Sequence, residues 1–160
     1  MAKLKDCQFI EIKIDGNTVA GSSEEETYKN WLEGYAPSAL ATVSGPDSVL
    51  FEPMNISILM SKESNKLYEK YLNRGYKDVV ITIVHRASDK LNQGYEAQRT
   101  VYDNCRFHSL RFEKREQMFM DVLFTFEESV EVTFNVPNTK DDGLDKVGPI
   151  KYNIPAKKIV

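Results

Sequence analysis

The side chains that most often carry out chemistry in proteins are sparse in this sequence. It contains two histidines, His85 and His108, and two cysteines, Cys7 and Cys105. A catalytic histidine needs a nucleophile or a carboxylate within hydrogen-bond reach, and no motif around either histidine supplies one. We expect both histidines to be structural residues of strands, with each ring bonded to backbone or water.

The same residues argue against a metal site. Structural zinc sites use closely spaced ligand pairs, and Cys105 and His108 form the only such pair. Residues three apart on a strand point to opposite faces, so this pair is unsuited to bind one ion. The segment from Asn138 to Gly143 resembles a calcium loop, but Lys140 and Pro149 stand at ligand positions. We predict no metal and no cofactor.

Motifs of other catalytic sites are missing as well. The sequence has no glycine-rich phosphate loop, nucleophile elbow or zinc-protease motif. The acidic run from Glu24 to Glu26 is interpreted as an ordinary solvated loop. We therefore predict that the protein is not an enzyme and that it acts by binding or by assembling.

Composition limits the class of protein further. The chain has 160 residues, 41% of them hydrophobic and 28% charged, with a net charge of −3. This composition predicts a single globular domain over residues 1–160, and the lack of a basic excess argues against nucleic acid as a partner.

The sequence shows no targeting or membrane-spanning segment. Near the N-terminus, Asp6 and Gln8 interrupt the apolar run that a signal peptide requires. The longest apolar stretch, Val79 to Val84, is too short to enter a membrane as a spanning helix.

Hydrophobic periodicity predicts a mainly β protein. Alternation at Ile10, Ile12 and Ile14 is typical of a strand with one buried face. Further strands are predicted at Tyr28 to Tyr35, Met54 to Met60, Asp78 to His85, Ala97 to Phe112, Met118 to Phe126, Val130 to Val136 and Ile150 to Ile154. About eight strands at hairpin-like spacing indicate a β-barrel or sandwich.

One segment, residues 61–74, has helical periodicity instead. Leu67 and Tyr71 are four apart, which places them on one stripe of a helix. Ser61 or Ser64 is expected to cap its first turn. Gly75 stands where a left-handed residue ends a helix. We predict one α-helix on the flank of the barrel.

The order of these segments resembles one known family. The matching segments are Ile14-Asp15-Gly16, Ala20 to Glu24, Tyr28 to Tyr35 with Trp31, Met54 to Leu67, Asn73 to Tyr76, Val79 to Ile83, Val130 to Phe134 and Val147 to Tyr152. Together they resemble Hcp, the haemolysin-coregulated protein family of bacterial type VI secretion systems, over nearly the whole chain. Ser64-Asn65 departs from the Ser-Pro that many members carry at the start of the helix.

The resemblance implies a fold and a function. Hcp proteins are β-barrels of two antiparallel sheets with one flanking helix, related to phage tail tubes. Six copies form a ring, and rings stack into an inner tube that sheath contraction expels. The implied partners are further copies of this chain, the sheath, the VgrG spike, the baseplate and effectors in the lumen. The implied location is the bacterial cytoplasm, followed by secretion without a cleaved signal.

Two exposed turns are candidates for contacts between rings. These are the loop of Ser44, Gly45, Pro46, Asp47 and Ser48, and the charged turn of Lys114, Arg115 and Glu116. The alternative that both are only solvated turns stays open. A ring joins unlike patches of neighbouring subunits, and strand pairing across that contact would cover open sheet edges.

Three other functions are kept as alternatives. A small barrel that binds a ligand or peptide, with no secretion role, predicts a monomer with a deep apolar pocket. An enzyme using His85 or His108 predicts a cleft with a shifted histidine pKa. A phage-type tail-tube protein outside a secretion system would share the fold.

Overall fold

The computed structural model describes residues 8–36, 42–44, 49–74, 78–88, 94–138 and 143–160, with backbone only for 42–44 and 88. These ranges contain eleven strands and one helix. In chain order they are β1 (Gln8–Ile14), β2 (Asn17–Thr18), β3 (Leu32–Tyr35), β4 (Thr42–Ser44), β5 (Val49–Phe51), β6 (Met54–Leu59), α1 (Ser64–Leu72), β7 (Val79–Ser88), β8 (Gly94–Lys114), β9 (Met118–Pro137), β10 (Leu144–Asn153) and β11 (Lys158–Ile159).

Six strands close into an antiparallel barrel. Their order is β9-β6-β3-β1-β7-β8, and β8 pairs again with β9. Beyond the end of β6, β10 pairs with the second half of β9, and β11 follows β10. Hairpin β4–β5 forms a separate small sheet. The predicted mainly β barrel with one flanking helix is confirmed.

Alternating apolar residues fill the barrel, as their period of two requires. Ile12 lies opposite Ile81 and Ile10 opposite Ile83, and all four side chains are fully buried. The other fully buried large side chains include Leu32, Ile56, Ile58, Leu67, Met120 and Phe124. A smaller cluster on the outside of the barrel contains Phe9, Tyr28 and Val84.

Helix α1 is shorter than the predicted range of 61–74, and its first turn is not capped as expected. Glu63 is the N-cap residue and makes no side-chain cap bond. The hydroxyl of Ser64 instead accepts a hydrogen bond from the backbone N–H of Ser61, at 2.8 Å. Gly75 lies outside the described residues, and Arg74 has the left-handed conformation, with φ of 56°. Leu67 anchors the helix in the core.

Three strand predictions differ from the structure. The strand predicted from Tyr28 begins at Leu32, because residues 26–30 form a turn that places Tyr28 on the outer cluster. The two strands predicted at Met118 to Phe126 and Val130 to Val136 are one strand, β9. The register between β8 and β9 shifts between Asp103 and Cys105, where β9 has one residue more than β8, and the two strands are paired on both sides of this bulge.

The last predicted strand is longer than expected. It begins at Leu144, six residues before the predicted Ile150. Pro149 lies where the pairing of β10 with β9 shifts register, between Val147 and Ile150. Proline fits at this position because it has no backbone N–H to donate to the neighbouring strand. No helix among the described residues has the length and apolar character needed to cross a membrane.

We predict that Leu67→Ala lowers the free energy of unfolding by about 2–5 kcal/mol, because it leaves a cavity where α1 meets the core. Leu72→Ala is the matched control, since Leu72 is on the same helix but 58% exposed; at a protein concentration at which the chain is monomeric, it should cost less than about 0.5 kcal/mol. Urea denaturation followed by circular dichroism measures both. Equal losses in the two variants would contradict the assigned orientation of the helix.

Candidate assembly surfaces

Strands β8 and β9 are much longer than the strands that complete the barrel. They have 21 and 20 residues, whereas β1 has seven and β6 has six. They pair with each other from Gln98 opposite Phe134 to Lys114 opposite Met118. Because the shorter strands cover only part of this pair, its apolar inner face continues past the barrel.

At one end, the uncovered inner face forms a surface that we call the ribbon patch, made of Phe134, Val136, Val147 and Ile150. Phe134 lies opposite Val147 on the neighbouring strand β10. These four side chains are between 37% and 51% exposed. Val130, earlier on the same face of β9, is buried. The apolar pattern therefore continues beyond the part of β9 that other described residues cover.

At the other end lies a second apolar surface, the helix patch, made of Tyr68, Leu72, Phe112 and Met118. The rings of Tyr68 and Phe112 meet edge to face, with centroids 5.2 Å apart. Leu72 follows Tyr68 by one helical turn. The four side chains are 37% to 58% exposed. The same β8–β9 pair thus carries an uncovered apolar surface at each end.

The two patches lie at opposite ends of the β8–β9 pair. Met118 and Phe134 are 16 residues apart on β9, which is about 53 Å at 3.3 Å per strand residue. Contiguous exposed apolar surfaces of this kind mark interaction sites. Two different patches at opposite ends of a molecule suit a head-to-tail contact between copies.

Two strand edges are open in the described part of the chain. After Tyr102, the side of β8 that faces away from β9 has no strand partner among the described residues. On the far side of β10, only Tyr152 and Asn153 pair with β11. Such edges present unpaired backbone N–H and C=O groups to another chain.

The residues predicted to join rings fall in two places. Of the first loop, only the backbone of Ser44 is described, at the end of β4; Gly45, Pro46, Asp47 and Ser48 lie outside the described residues. Lys114, Arg115 and Glu116 form the exposed tip of the β8–β9 hairpin. Among the described residues, no contact joins Ser44 to the hairpin tip.

Arg115 is held inside its own subunit. One guanidinium nitrogen donates to both carboxylate oxygens of Asp121 at 3.1 Å, and the cation lies 5.0 Å from the centre of the Phe119 ring. The Ser57 hydroxyl also donates to Asp121, at 2.6 Å. Burial works to raise the pKa of Asp121, but these donors outweigh it and hold that pKa below its usual value. The network fixes the hairpin tip.

An aromatic and cationic cluster fixes the loop between β2 and β3 on the outer wall. The Tyr28 ring stacks on Phe9 with centroids 4.7 Å apart, and Arg86 lies over both rings. The Tyr28 hydroxyl donates to Glu96 at 2.7 Å. Burial and the Glu96 carboxylate raise the pKa of Tyr28 to about 12. Arg99 also donates to Glu96, at 2.6 Å.

His85, His108 and Cys105 make hydrogen bonds within the chain, and Cys7 lies outside the described residues. The Nε2 of His85 donates to the Ala36 carbonyl oxygen at 3.1 Å, which confirms the expected backbone partner. His108 is bonded to the Thr125 hydroxyl instead, with the atoms 2.6 Å apart. Cys105 is buried whereas His108 is exposed, as their spacing predicted. No group of three or more potential metal ligands occurs among the described residues.

Sequence reasoning missed both apolar patches. The regular alternation at Val130, Val132, Phe134 and Val136 predicts a strand, but it does not show which of these side chains are exposed. The segment from Val147 to Ile150 contained a clue. Its proline indicates an edge strand, and the valine and isoleucine beside the Gly-Pro pair indicate that this edge carries apolar side chains.

We predict that Asp121→Asn lowers the free energy of unfolding at pH 7 by about 1.5–3 kcal/mol, because it weakens hydrogen bonds between charged groups. The lowered pKa means that the carboxylate stabilises the fold at neutral pH. This contribution is lost as the pH falls through the folded-state pKa. The difference in stability between wild type and variant should therefore narrow in acid, as urea denaturation at pH 7 and at a pH below the titration of this carboxyl would measure.

Asp145→Asn is the control for this prediction, because Asp145 is an exposed aspartate on β10. Its effect should stay within about 0.5 kcal/mol at both pH values. A stability gap between wild type and Asp121→Asn that persists unchanged in acid would show that the charge is not responsible.

Comparison with known proteins identifies the architecture. No protein-family model matches the sequence, and no curated protein is similar enough in sequence to count as a match. Among solved structures, Hcp1 from Salmonella typhimurium is similar to this chain with a TM-score of 0.68 and 16% identity, covering 96% of this chain and 99% of that one.

Two further structures agree. A type six secretion system protein has a TM-score of 0.68 at 16% identity, covering 95% of this chain and 99% of that one. The secreted protein Hcp3 from Pseudomonas aeruginosa has a TM-score of 0.65 at 13% identity, covering 88% of this chain and 96% of that one. The chain therefore has the fold of the Hcp proteins of type VI secretion systems.

Proposed function

We propose that this protein is the structural subunit of the inner tube of a type VI secretion system. The observation that carries this proposal is the pair of uncovered apolar patches at opposite ends of a chain with the Hcp fold. In this function, a single domain over residues 1–160 assembles into a ring of six copies. Rings stack into a tube that sheath contraction expels.

The ring contact we propose is head-to-tail. The ribbon patch of one copy packs on the helix patch of the next, which removes apolar surface from water on both. The open edges of β8 and β10 lie at these same ends and add backbone hydrogen bonds across the contact. Because the joined patches are unlike, rotation from copy to copy closes a ring.

The contacts between rings are proposed at the Ser44 to Ser48 loop and at the hairpin tip. At that tip, Lys114 and Glu116 are exposed. Arg115 is bound to Asp121, so we assign it the role of fixing the tip rather than of contacting another ring.

The remaining partners follow from the same proposal. They are the sheath, the VgrG spike and the baseplate, with effector proteins carried in the lumen. The protein is made in the bacterial cytoplasm and leaves by the secretion system without a cleaved signal. No enzymatic step, cofactor or nucleic acid is part of this function.

The alternative of a ligand-binding barrel is less well supported. Side chains that point into the described barrel, such as Ile10, Ile83 and Phe124, are fully buried against each other. The enzyme alternative also lacks support, because His85 is bonded to a backbone carbonyl and His108 to a threonine.

We predict that Phe134→Glu on the ribbon patch and Phe112→Glu on the helix patch each prevent ring formation, because each places a charge in an apolar contact. Wild type should elute as a hexamer in size-exclusion chromatography with light scattering. Each variant should elute as a monomer with an unchanged circular dichroism spectrum.

Thr133→Glu is the matched control for these variants. Thr133 neighbours Phe134 on β9, points to the opposite face and lies opposite Arg99. It should still form hexamers. A wild-type protein that stays monomeric, or a Phe134→Glu variant that forms rings, would contradict the proposed contact.

A further inference from the structure

The edge of β10 that faces away from β9 is only partly open. Backbone groups of alternate residues on an antiparallel strand point to opposite sides. The hydrogen bonds of β10 with β9 leave the N–H and C=O groups of Leu144 and Lys146 on the far side. Further along the strand, the backbone groups of Lys151 and Asn153 lie on that same side.

Strand β11 covers two of these four residues, Lys151 and Asn153. Asn153 lies opposite Lys158, and the N–H of Val160 donates to the C=O of Lys151 at 2.9 Å. No strand among the described residues covers the other two. Pro149 lies between the covered and the open residues and has no N–H to donate. With β11 in place, a second strand therefore finds only a short open edge before the proline.

Strand β11 is itself weakly held. It has two residues, and its pairing buries little apolar surface, because Ile159 is 70% and Val160 61% exposed. The turn before it contains Lys157 with φ of 55°, a left-handed conformation that is unfavourable for a residue such as lysine. A short strand with few buried contacts is typical of segments that open locally while the rest of the fold stays intact.

The proposed ring contact requires more of this edge than the separate chain leaves open. In that contact, the open side of β8 on the next copy runs from Asp103 to Lys114, and β10 has ten residues of its own. Pairing along the whole of β10 needs the backbone groups of Lys151 and Asn153. Strand β11 and the next copy therefore compete for the same hydrogen bonds.

We propose that β11 is a displaceable cover of the β10 edge, released from Lys151 and Asn153 when β8 of the next copy pairs there in the ring. This inference rests on the proposed function, since it concerns the regulation of the ring contact. A covered edge protects the separate subunit from pairing with other exposed strands. Because only chains with β11 released can form the full contact, its apparent affinity falls in proportion to their fraction.

Val160→Pro tests the release of β11. Proline lacks the N–H that Val160 donates to Lys151, so β11 pairs less often and the edge is open more often. The concentration needed for half-assembly, measured by light scattering, should fall by about threefold to tenfold, the effect of one hydrogen bond. Ile159→Pro is the matched control, because the N–H of Ile159 points away from β10. It should assemble as wild type does.

Lys157→Gly tests the opposite direction. Glycine adopts the left-handed conformation without strain, so β11 becomes more stable and the concentration for half-assembly should rise by about threefold. Lys157→Ala is the control, because it removes the same charge but keeps a side chain in the left-handed conformation. Its assembly should match that of wild type.

Hydrogen exchange of single amides shows directly whether β11 leaves. Displacement predicts that the Val160 amide exchanges faster in the ring than in the monomeric Phe134→Glu variant. The Lys146 amide on the open edge should exchange more slowly in the ring, because it gains a partner there. A strand that serves only the fold of its own subunit would not lose protection on assembly.

Each outcome decides the matter. Opposite shifts in Val160→Pro and Lys157→Gly, together with a faster Val160 amide in the ring, support displacement. Variants that assemble like wild type, or a Val160 amide that is slowed in the ring, overturn it while the proposed ring remains. A wild-type protein that does not form rings at all overturns the proposed function and this inference with it.

Discussion

The pairing of β8 with β9 is the interaction on which the rest of this structure depends. Both strands are about three times as long as β1 or β6, so one hairpin forms part of the barrel wall and also extends beyond it. Its inner face is covered by the core in the middle and is uncovered at both ends. The barrel gives the chain a stable core, and the length of the hairpin gives it two exposed apolar patches, which we propose as contacts between copies.

Other contacts hold the two ends of this hairpin in place. At the tip, the buried Asp121 carboxylate joins Arg115 and Ser57. Near the opposite end, Glu96 binds Tyr28 and thereby holds the loop between β2 and β3 against the wall. Both anchors are charge-assisted hydrogen bonds, which are stronger than neutral ones. They tie the segments beside them to the barrel wall, and a segment that is already ordered loses less conformational entropy in the contact that we propose.

Much of the fold could be predicted from the sequence, because strand and helix periodicities are local. The alternation at Ile10 and Ile12 identified β1, and the spacing of Leu67 and Tyr71 identified α1. The continuity of β9 could not be predicted, since it depends on pairing with β8 on both sides of a bulge at residues 127–128. The two apolar patches were missed for a similar reason. Val136 has the same local pattern as the buried Val130, and only the lengths of neighbouring strands decide which of them is covered.

The central claim is that the uncovered ends of β8 and β9 join copies of this chain into rings. The most direct test is size-exclusion chromatography with light scattering of the wild-type protein, followed by negative-stain microscopy of the same peak. A ring of six copies predicts annular particles with a mass of about 110 kDa, six times the 18.3 kDa of one chain. A single monomeric peak that persists at high protein concentration would contradict it.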